Sequence, residues 1–563
     1  MVIKLFIAKI TISIPEKSSV ARATCGESFV EHVHSKPATI CIWPYFNMET
    51  EDWFKLKRYP HLDLPLSIKD YRWIKKYVEN EKKIKKHSFL PLIHKCIVKR
   101  KYRADETDSY RTKKGERKRI IGTPKIRHIY YASHMDSLVF SYYNQLLTSK
   151  YEEKIKKELF NESIVAYRKI PIDLDSDKNK CNIDFAKSAF QFIKDNSDKN
   201  LSVIIADVTS FFDHLNHKVL KKQWSKVLNE TTLPEHHYNV FKALTRLRYV
   251  ESDQLFNSYK GSMLVEKGVP NKNGEKETKR IEIESNRYFK EKNAIAYCTK
   301  KEFLKNNLNL VISAQNTIGI PQGSPISATL ANIYMWDFDS VIFDTVKSMN
   351  GFYQRYSDDL IIVCEQKHED HIIKVLRKRI KNQEKLEIHP SKTKIYRFEK
   401  IDGLFKGFEI NEDTKEHNYN RTLEYLGFTF DGQRVLIKNS GFSKFYRSMK
   451  RSFRKSTSLA LHSKNPDKSI FKSGLYKRFT HKGAKRKLIY RPSKTDPTKY
   501  ERTKKYYWGN YLSYVYKAND SMKTINESDA IKKQGRKFWN RFNLLMNFHE
   551  KRLKSKASVQ QRR

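Results

Sequence analysis

Residues 352–363 read Phe-Tyr-Gln-Arg-Tyr-Ser-Asp-Asp-Leu-Ile-Ile-Val, which places two adjacent carboxylates between two strand-like runs. Aromatic and β-branched residues dominate the flanks, as they do in strands, and Ser357-Asp358 suits a hairpin turn. Carboxylates at such a tip can reach a divalent cation without burying bare charge. A solvated Asp-Asp turn would look the same, so this stretch predicts a hairpin and leaves the metal site open.

A second carboxylate ends an apolar run upstream. Residues 202–213 read Ser-Val-Ile-Ile-Ala-Asp-Val-Thr-Ser-Phe-Phe-Asp, which predicts a buried strand with Asp207 at its C-terminal end. Nucleotidyl transfer uses two cations about 3.5–4 Å apart, and magnesium takes oxygen ligands. Asp207 and Asp358 supply such ligands, with Asp359 as a second-rank one. The alternative is that Asp207 caps the following turn.

A loop rich in helix breakers lies between these two segments. Residues 319–327 read Gly-Ile-Pro-Gln-Gly-Ser-Pro-Ile-Ser, and the next apolar residues, Ile326, Leu330, Ile333 and Trp336, recur at helical spacing. Gly323 lets the backbone approach a ligand closely, and the N-terminus of the following helix favours phosphate. An ordinary loop before a helix would share these features, so the order of the three segments decides their interpretation.

In that order, the segments around Asp207, Gln322 and Asp358 resemble motifs A, B and C of the reverse transcriptases. The resemblance covers residues 87 to 435. It implies an α+β right-hand polymerase, with fingers, a palm of antiparallel sheet and helices, a helical thumb and a basic α-helical C-terminal region. It also implies an RNA-directed DNA polymerase with catalytic Asp207, Asp358 and Asp359. These residues would hold two Mg²⁺ ions, with Mn²⁺ as an alternative.

Further segments extend the resemblance and assign more residues. The segments resemble a fingers arginine motif (118–124), a later fingers arginine (165–168), the motif D lysine (389–394) and the primer grip (423–428). The residues assigned to the incoming nucleotide are Arg119, Phe212, Gln322, Gly323 and Lys392. The residues assigned to RNA and primer are Arg127, Arg168 and Gly427. The expected partners are therefore an RNA template, a DNA product and deoxynucleoside triphosphates.

Less specific motifs resemble a narrower group, the bacterial "unknown group" and abortive-infection reverse transcriptases. They are residues 87–91, 131–137, 166–169, 355–359 and 509–514. This resemblance implies a role in antiphage defence with a dedicated noncoding RNA.

The charge of the chain predicts a polyanionic partner. Lys and Arg number 111 against 63 Asp and Glu, for a net charge of +48. Residues 441–563 hold 34 of the basic and 7 of the acidic residues. Aromatic residues are interleaved there, which is typical of nucleic-acid binding, although core packing would also use them. The basic cluster assigned to RNA is Lys482, Lys485, Arg486 and Lys487.

The cysteines and the hydropathy pattern predict a soluble cytoplasmic protein. Six cysteines stand far apart, without a Cys-x-x-Cys pair or a His cluster at zinc spacing, and are interpreted as reduced thiols. Lysines interrupt the apolar N-terminus, so a signal peptide is not expected. No apolar run approaches the roughly 18 residues of a membrane span.

Composition shifts predict four regions. These are an N-terminal extension (1–86), fingers (87–200), a palm (201–435) with a surface insertion at about 260–316, and a basic helical thumb and C-terminal domain (436–563). In the extension, a helix is expected from Ser67, with Ile68, Tyr71, Ile74 and Val78 on one face.

Two features bear on the choice of sugar. Asp207 and Asp213 are six residues apart. RNA-templated RNA polymerases place a second Asp near this spacing, where it accepts a hydrogen bond from the ribose 2′-hydroxyl. Phe212 instead matches the aromatic residue by which reverse transcriptases exclude that hydroxyl, and Asp213 would then cap a helix that begins near His214. Deoxynucleotides are favoured. An RNA-templated RNA polymerase, a maturase-like RNA-binding protein and a homo-oligomeric structural subunit stay open.

Overall fold

Twenty strands and seventeen α-helices occur in the part of the chain that the computed structural model describes. The described residues are 50–99, 102–104, 119–121, 124–173, 176, 178–268, 277–314, 316–382, 384–389, 393–412, 414–463, 469–485, 488–492, 500–506 and 509–561. The strands are β1 (Leu92–Lys99), β2 (Tyr102–Ala104), β3 (Arg119–Ile121), β4 (Lys125–Tyr131), β5 (Leu201–Asp207), β6 (Leu247–Glu251), β7 (Met263–Lys267), β8 (Glu277–Ile281), β9 (Ala294–Ala296), β10 (Ile312–Ala314), β11 (Phe352–Tyr356), β12 (Asp359–Glu365), β13 (Lys394–Ile401), β14 (Leu404–Ile410), β15 (His417–Asn418), β16 (Leu423–Tyr425), β17 (Phe428–Phe430), β18 (Val435–Ile437), β19 (Leu488–Pro492) and β20 (Tyr500–Tyr506).

The helices lie between and after these strands. They are α1 (Tyr71–Val78), α2 (Glu81–Lys85), α3 (His134–Ile155), α4 (Asn182–Asp195), α5 (Phe211–His214), α6 (His217–Leu228), α7 (Glu235–Thr245), α8 (Ser252–Tyr259), α9 (Lys300–Asn306), α10 (Ser327–Tyr334), α11 (Trp336–Ser348), α12 (Glu369–Asn382), α13 (Asn439–Leu461), α14 (Lys472–Phe479), α15 (Tyr511–Asn526), α16 (Ala530–Gly535) and α17 (Lys537–Gln561). The mixed α+β class predicted from the sequence is confirmed, as is a largely helical C-terminal region.

The central sheet has six strands in the order β11-β12-β5-β13-β14-β15, and every neighbouring pair is antiparallel. Strand β5 is rich in β-branched residues and largely buried, as expected for an inner strand. One face of the sheet packs against helices α4 and α15 and the three-stranded sheet β16-β17-β18 in one apolar core. This packing holds the ends of β5 and β12 in a fixed register.

A four-stranded sheet in the order β10-β6-β1-β4 forms a second layer. Strand β1 pairs antiparallel with β4 and parallel with β6. Strands β2 and β3 form a separate two-stranded ladder between β1 and β4 in the chain. Arg119, on β3, therefore lies in the chain between the paired strands β1 and β4.

The region at about 260–316, where the sequence predicts a surface insertion, contains a folded unit. Strands β8, β7 and β9 form a sheet, and Met263, Val265 and Phe303 are buried with Leu62 and Ile93. The sequence hides this core because its apolar residues are spread over short strands. The polar segment 269–276, on which the insertion was predicted, lies outside the described residues.

The C-terminal region contains one strand pair among its helices. Helices α13, α14 and α17 share a core that includes Met449, Phe453 and Phe542. Strands β19 and β20 pair antiparallel within this region, in addition to the helices that the sequence predicts.

The predicted helix in the N-terminal extension begins as a 3₁₀ turn before α1. Ser67 and Asp70 form a capping box, and Tyr71, Ile74 and Val78 are buried as expected. Ile68 is 55% exposed and does not share that face, because it lies in the 3₁₀ turn. Residues 1–49 lie outside the described residues. Among the described helices, none combines the length and apolar character that a bilayer span requires.

Candidate active site

The end of β5 lies beside the start of β12. In the ladder between these strands Asp207 is directly opposite Asp359, and the amide of Val208 donates to the Asp358 carbonyl oxygen at 3.1 Å. Directly opposed residues of an antiparallel pair have their Cβ atoms about 4.5–5.5 Å apart. The register therefore places Asp207 beside the turn that carries Asp358 and Asp359, although Asp207 lies about 150 residues before them in the sequence.

The backbone after Asp207 is fixed on its other side. The amide of His389 donates to the Asp207 carbonyl oxygen at 2.8 Å, and the amide of Thr209 donates to the Glu387 carbonyl oxygen at 2.8 Å. Strand β5 thus ends between two neighbouring segments that both hold its backbone. Asp207 is the last residue of β5 and belongs to this ladder.

The predicted hairpin at residues 352–363 is confirmed. Tyr356 pairs with Asp359, which leaves Ser357 and Asp358 as the two turn residues. Ser357 has a φ of +64°, a left-handed conformation that is uncommon for residues other than glycine. The side chain of Ser357 is buried, whereas Asp358 is half-buried and Asp359 is exposed. The turn therefore presents both carboxylates while the serine faces the protein.

Two side chains, those of Arg355 and Tyr167, contact this turn at Ser357. Arg355 donates from Nη1 to the Ser357 carbonyl oxygen at 3.1 Å, and the Tyr167 hydroxyl lies 3.0 Å from Ser357 Oγ. Tyr167 itself has a φ of +63°. Unusual backbone conformations persist where the surroundings impose them, and they cluster at functional sites.

Arg355 is held in turn by a buried carboxylate. Its Nε and Nη2 donate to the two carboxylate oxygens of Asp339 at 2.7 and 2.6 Å, and both side chains are 0% exposed. The Tyr353 hydroxyl donates to Asp339 at 2.7 Å, and Arg355 also donates to Asn332 at 3.3 Å. Asn332 lies on α10 and Asp339 on α11, so the turn is tied to both helices.

The loop at residues 319–327 contacts strand β4. The amide of Tyr130 donates to the Gln322 carbonyl oxygen at 2.8 Å. Gly323 has a φ of +114°, and a Cβ at this position would lie 2.6 Å from the Tyr130 carbonyl oxygen. The loop therefore requires glycine because of close backbone approach to β4. The predicted helix follows as α10, but it ends at Tyr334, and Trp336 begins α11.

Phe212 lies at the junction of this loop with the Asp207 segment. It belongs to α5, its ring is half-buried, and its carbonyl oxygen accepts from the Ile320 amide at 2.8 Å. Asp213 does not cap a later helix as expected, because α5 already begins at Phe211. Asp213 is exposed as a residue, but partial desolvation of its carboxyl group raises the pKa of that group. The carboxyl group also accepts a hydrogen bond from the Gln322 side chain. Phe212 and Asp213 thus both contact the loop that carries Gln322.

Arg168 is engaged entirely within the protein. Its five N–H groups donate to the Glu152 carboxylate, the Asn161 carbonyl and side-chain oxygens and the Ile164 carbonyl oxygen, at 2.6 to 2.9 Å. The guanidinium side chain is 4% exposed. It fixes the segment that carries Tyr167 and leaves no donor for RNA in this conformation, which differs from its predicted contact.

Other assigned residues are dispersed. Arg127 is half-buried on β4 opposite Ile97, and Gly427 has a φ of +92° between β16 and β17. Arg119 lies on β3, but its side chain is not described. Lys392, Arg486 and Lys487 lie outside the described residues.

The described part of the basic cluster lies in the C-terminal region. The ammonium group of Lys482 lies 5.0 Å from the centre of the Tyr476 ring, and Lys485 is exposed. Lys485 also lines a groove of about 620 Å³ with His481, Tyr516 and Lys517. Cationic and aromatic groups are therefore adjacent on this surface.

The sequence did not predict the buried ion pair that fixes the turn at Ser357 and Asp358. The sequence pattern includes Arg355 only in the motif at residues 355–359 and assigns no role to its partner Asp339. A buried arginine inside an apolar strand is the available signal, because such a charge requires a partner. The pattern does not say which acidic residue supplies it.

Comparison with protein families identifies a domain. Residues 281–430 match the family described as reverse transcriptase (RNA-dependent DNA polymerase). The chain therefore contains a reverse transcriptase domain, as the motifs predict. The matched residues include Gln322, Asp358 and Asp359, whereas Asp207 lies upstream and is joined to them by the strand ladder.

Solved structures show distant similarity. Apo telomerase from Candida tropicalis, truncated from its C-terminal domain, is 13% identical, with a TM-score of 0.32 over 62% of this chain and 58% of that chain. Telomerase from Candida albicans, in complex with a TWJ fragment of telomeric RNA, is 11% identical, with a TM-score of 0.33 over 88% of this chain and 71% of that chain. This chain thus spans less than two thirds of the first of these structures. No curated protein sequence matches it.

Proposed function

We propose that this chain is an RNA-directed DNA polymerase whose catalytic carboxylates are Asp207, Asp358 and Asp359. The observation that supports it most is the ladder register that sets Asp207 opposite Asp359, inside a chain that contains a reverse transcriptase domain. All three donors are carboxylates at one strand edge, partly or fully exposed, and this donor set suits two Mg²⁺ ions, with Mn²⁺ as an alternative. Such ions supply Lewis-acid charge for attack by a primer hydroxyl and departure of pyrophosphate.

The chain's own residues orient the reactants. Gln322 and Gly323 lie on a loop that is fixed against β4, close to Phe212. We propose that this loop and the half-buried Phe212 ring bind the base and sugar of the incoming nucleotide. Arg119, from β3, would bind the triphosphate, since a guanidinium matches phosphate oxygens in a bidentate manner. Lys392 is proposed for the same ligand by resemblance.

The carboxylate assignment is tested with two single substitutions and one double substitution. Asp207→Ala, Asp358→Ala and the double change of Asp358 and Asp359 to Ala should each abolish cation-dependent DNA synthesis on a primed RNA template. The loss follows because each substitution removes charge that holds the cations, an effect worth several kcal/mol in the transition state. Incorporation of radiolabelled deoxynucleotides measures it.

The matched control is Asp370→Ala, which removes an exposed carboxylate on α12. It should synthesise DNA at the wild-type rate, and all variants should unfold at the wild-type temperature within a few degrees. Synthesis by Asp358→Ala at more than about a hundredth of the wild-type rate would contradict the assignment.

We further propose that the basic C-terminal region binds a dedicated noncoding RNA in cytoplasmic antiphage defence. The charge of residues 441–563 and the groove beside Lys485 support RNA binding. Defence is supported by the resemblance of the less specific motifs. Two of these motifs contact each other here, since His87 Nε2 lies 2.8 Å from Asp136 Oδ1.

Sequencing of the nucleic acid that copurifies with the protein tests this proposal. The expected result is one abundant RNA encoded beside the gene, together with phage protection that Asp358→Ala abolishes. A heterogeneous RNA population and no change in phage plating would overturn the defence role while leaving the polymerase assignment intact.

A further inference from the structure

Three side chains with metal-binding atoms meet on strands β1 and β4. His94 and Cys96 are two residues apart on β1, so both lie on the same face of the strand. Cys96 is directly opposite His128 of β4 in the ladder. The register therefore brings two imidazoles and a thiol into one cluster, although the sequence shows no zinc spacing.

The distances in this cluster fit one small cation. His94 Nε2 and His128 Nδ1 are 3.0 Å apart, and Cys96 Sγ lies 3.7 Å from His94 Nε2 and 3.6 Å from His128 Nδ1. A tetrahedral zinc ion with ordinary bond lengths separates two nitrogens by about 3.3 Å and a nitrogen from a sulfur by about 3.6 Å. Both sulfur distances agree with that geometry, and the nitrogens need to separate by only a few tenths of an ångström.

A carboxylate orients the buried member of the cluster. Glu251, on β6, lies 2.8 Å from His94 Nδ1, and His94 is 5% exposed. The ring of His94 also packs on Tyr130 with centroids 4.6 Å apart. With Nδ1–H donated to Glu251, the lone pair of Nε2 points at the cluster. Metal-binding histidines commonly have such an outer carboxylate partner, which fixes the ring and its tautomer.

A hydrogen bond alone explains only part of this arrangement. His128 Nδ1–H could donate to His94 Nε2 at 3.0 Å without any metal. That bond does not account for the thiol, whose sulfur lies almost equally far from both nitrogens. A shared cation accounts for all three distances and for the outer carboxylate.

We propose that His94, Cys96 and His128 bind one zinc-type divalent cation, with Glu251 as the orienting partner of His94. Nitrogen and thiolate donors select such an ion over magnesium, which prefers oxygen. Three protein ligands leave one tetrahedral position for water or another donor. The ion would join β1 to β4, and through Glu251 to β6, at the base of the segment that leads to Arg119. The site uses none of the residues assigned to the proposed polymerase activity.

Metal titration of the full-length protein tests this site. The protein is purified without a polyhistidine tag and treated with a chelator, and then receives Zn²⁺ or Co²⁺ alone. Wild-type protein should bind one equivalent of Zn²⁺, and Co²⁺ should give the near-ultraviolet charge-transfer absorption of a cobalt–thiolate bond. Cys96→Ser should lose that absorption, and His128→Asn should lose the bound equivalent. Glu251→Gln should weaken binding by about 10- to 100-fold.

Matched controls separate this site from the rest of the chain. Cys181→Ser removes a partly exposed thiol elsewhere, His371→Asn an exposed histidine on α12, and Asp358→Asn a catalytic carboxylate. All three should bind Zn²⁺ as the wild type does. Circular dichroism of the Cys96 and His128 variants should show retained structure, since both residues are exposed. Equal Zn²⁺ binding by wild type and Cys96→Ser, or none by either, would overturn the proposal and leave a His94–His128 hydrogen bond alone.

Discussion

Arg355 and Asp339 form a fully buried ion pair that connects the turn at Ser357 and Asp358 to the helix α11. The guanidinium uses two donors on Asp339 and one on the Ser357 carbonyl oxygen, directly before Asp358. Burial of this pair is costly, so its geometry must compensate for lost hydration. The pair therefore couples the position of a proposed catalytic carboxylate to the packing of the protein interior.

Removal of one partner should destabilise the protein strongly. Arg355→Met leaves Asp339 buried without its cation, and the expected loss is about 3–5 kcal/mol of unfolding free energy. Chemical denaturation followed by circular dichroism measures it. The matched control is Arg377→Met, which removes an arginine from a largely exposed ion pair with Glu412 and should cost about 1 kcal/mol or less. Equal losses in both variants would contradict the structural role of Arg355.

Phe212 should control the choice of sugar. Phe212→Val shortens the side chain that is proposed to lie under the sugar, so use of ribonucleotides should rise relative to deoxynucleotides. The ratio of kcat/KM for the two substrates measures the change, and about tenfold corresponds to 1.4 kcal/mol. Phe211→Val is the neighbouring control, because Phe211 is buried in the protein. A wild-type enzyme that prefers ribonucleotides would favour the RNA-polymerase alternative.

Glu384 should make stability depend on pH. Burial raises the pKa of this carboxyl group to about 7, against a smaller opposing effect of Arg379, from an ordinary value of 4.5. The folded state then binds the proton more tightly than the unfolded chain does, so this group's contribution to stability falls as pH rises from about 4.5 to about 7. Above pH 7 the contribution is constant.

Glu384→Gln should remove this dependence. Relative to wild type, the variant should gain up to about 3 kcal/mol of unfolding free energy between pH 5 and pH 8. Thermal unfolding at both pH values measures the difference. Glu387→Gln, an exposed glutamate three residues later, is the control and should track the wild type at both values. A Glu384→Gln variant that also tracks the wild type would show that the buried carboxyl group titrates normally.

The basic cluster should bind RNA through phosphate contacts. Neutralisation of Lys482, Lys485, Arg486 and Lys487 to Gln should weaken RNA binding and make its salt dependence shallower, by roughly 0.7–0.9 in the log–log slope per lost contact. Fluorescence anisotropy across a salt series measures both quantities. The control neutralises four exposed lysines on and beside the β7–β9 unit, Lys290, Lys292, Lys300 and Lys301. If both sets reduce the slope equally, the effect reflects overall charge rather than a binding surface.

Local elements were predictable because their signals are local. The alternation of residues 352–363, the Ser-Asp turn and the apolar run before Asp207 each depend on neighbours within a few residues, and the structure confirms the corresponding strands. The break between α10 and α11 and the 3₁₀ start before α1 were not predicted. At such boundaries tertiary contacts outweigh helical periodicity.

The sequence by itself determined the strand that ends in Asp207, the hairpin that carries Asp358 and Asp359, the glycine loop and the basic C-terminal region. Tertiary structure decided which groups meet. Asp207 opposite Asp359, Arg355 on Asp339, Arg168 on Glu152, and Cys96 opposite His128 are all contacts between different elements. A buried arginine requires an acceptor, and the edge of a strand requires a partner strand. Sequence periodicity does not say which acceptor or which strand this is. Strand register and helix packing make that choice, because they minimise unpaired buried charge and exposed apolar surface together.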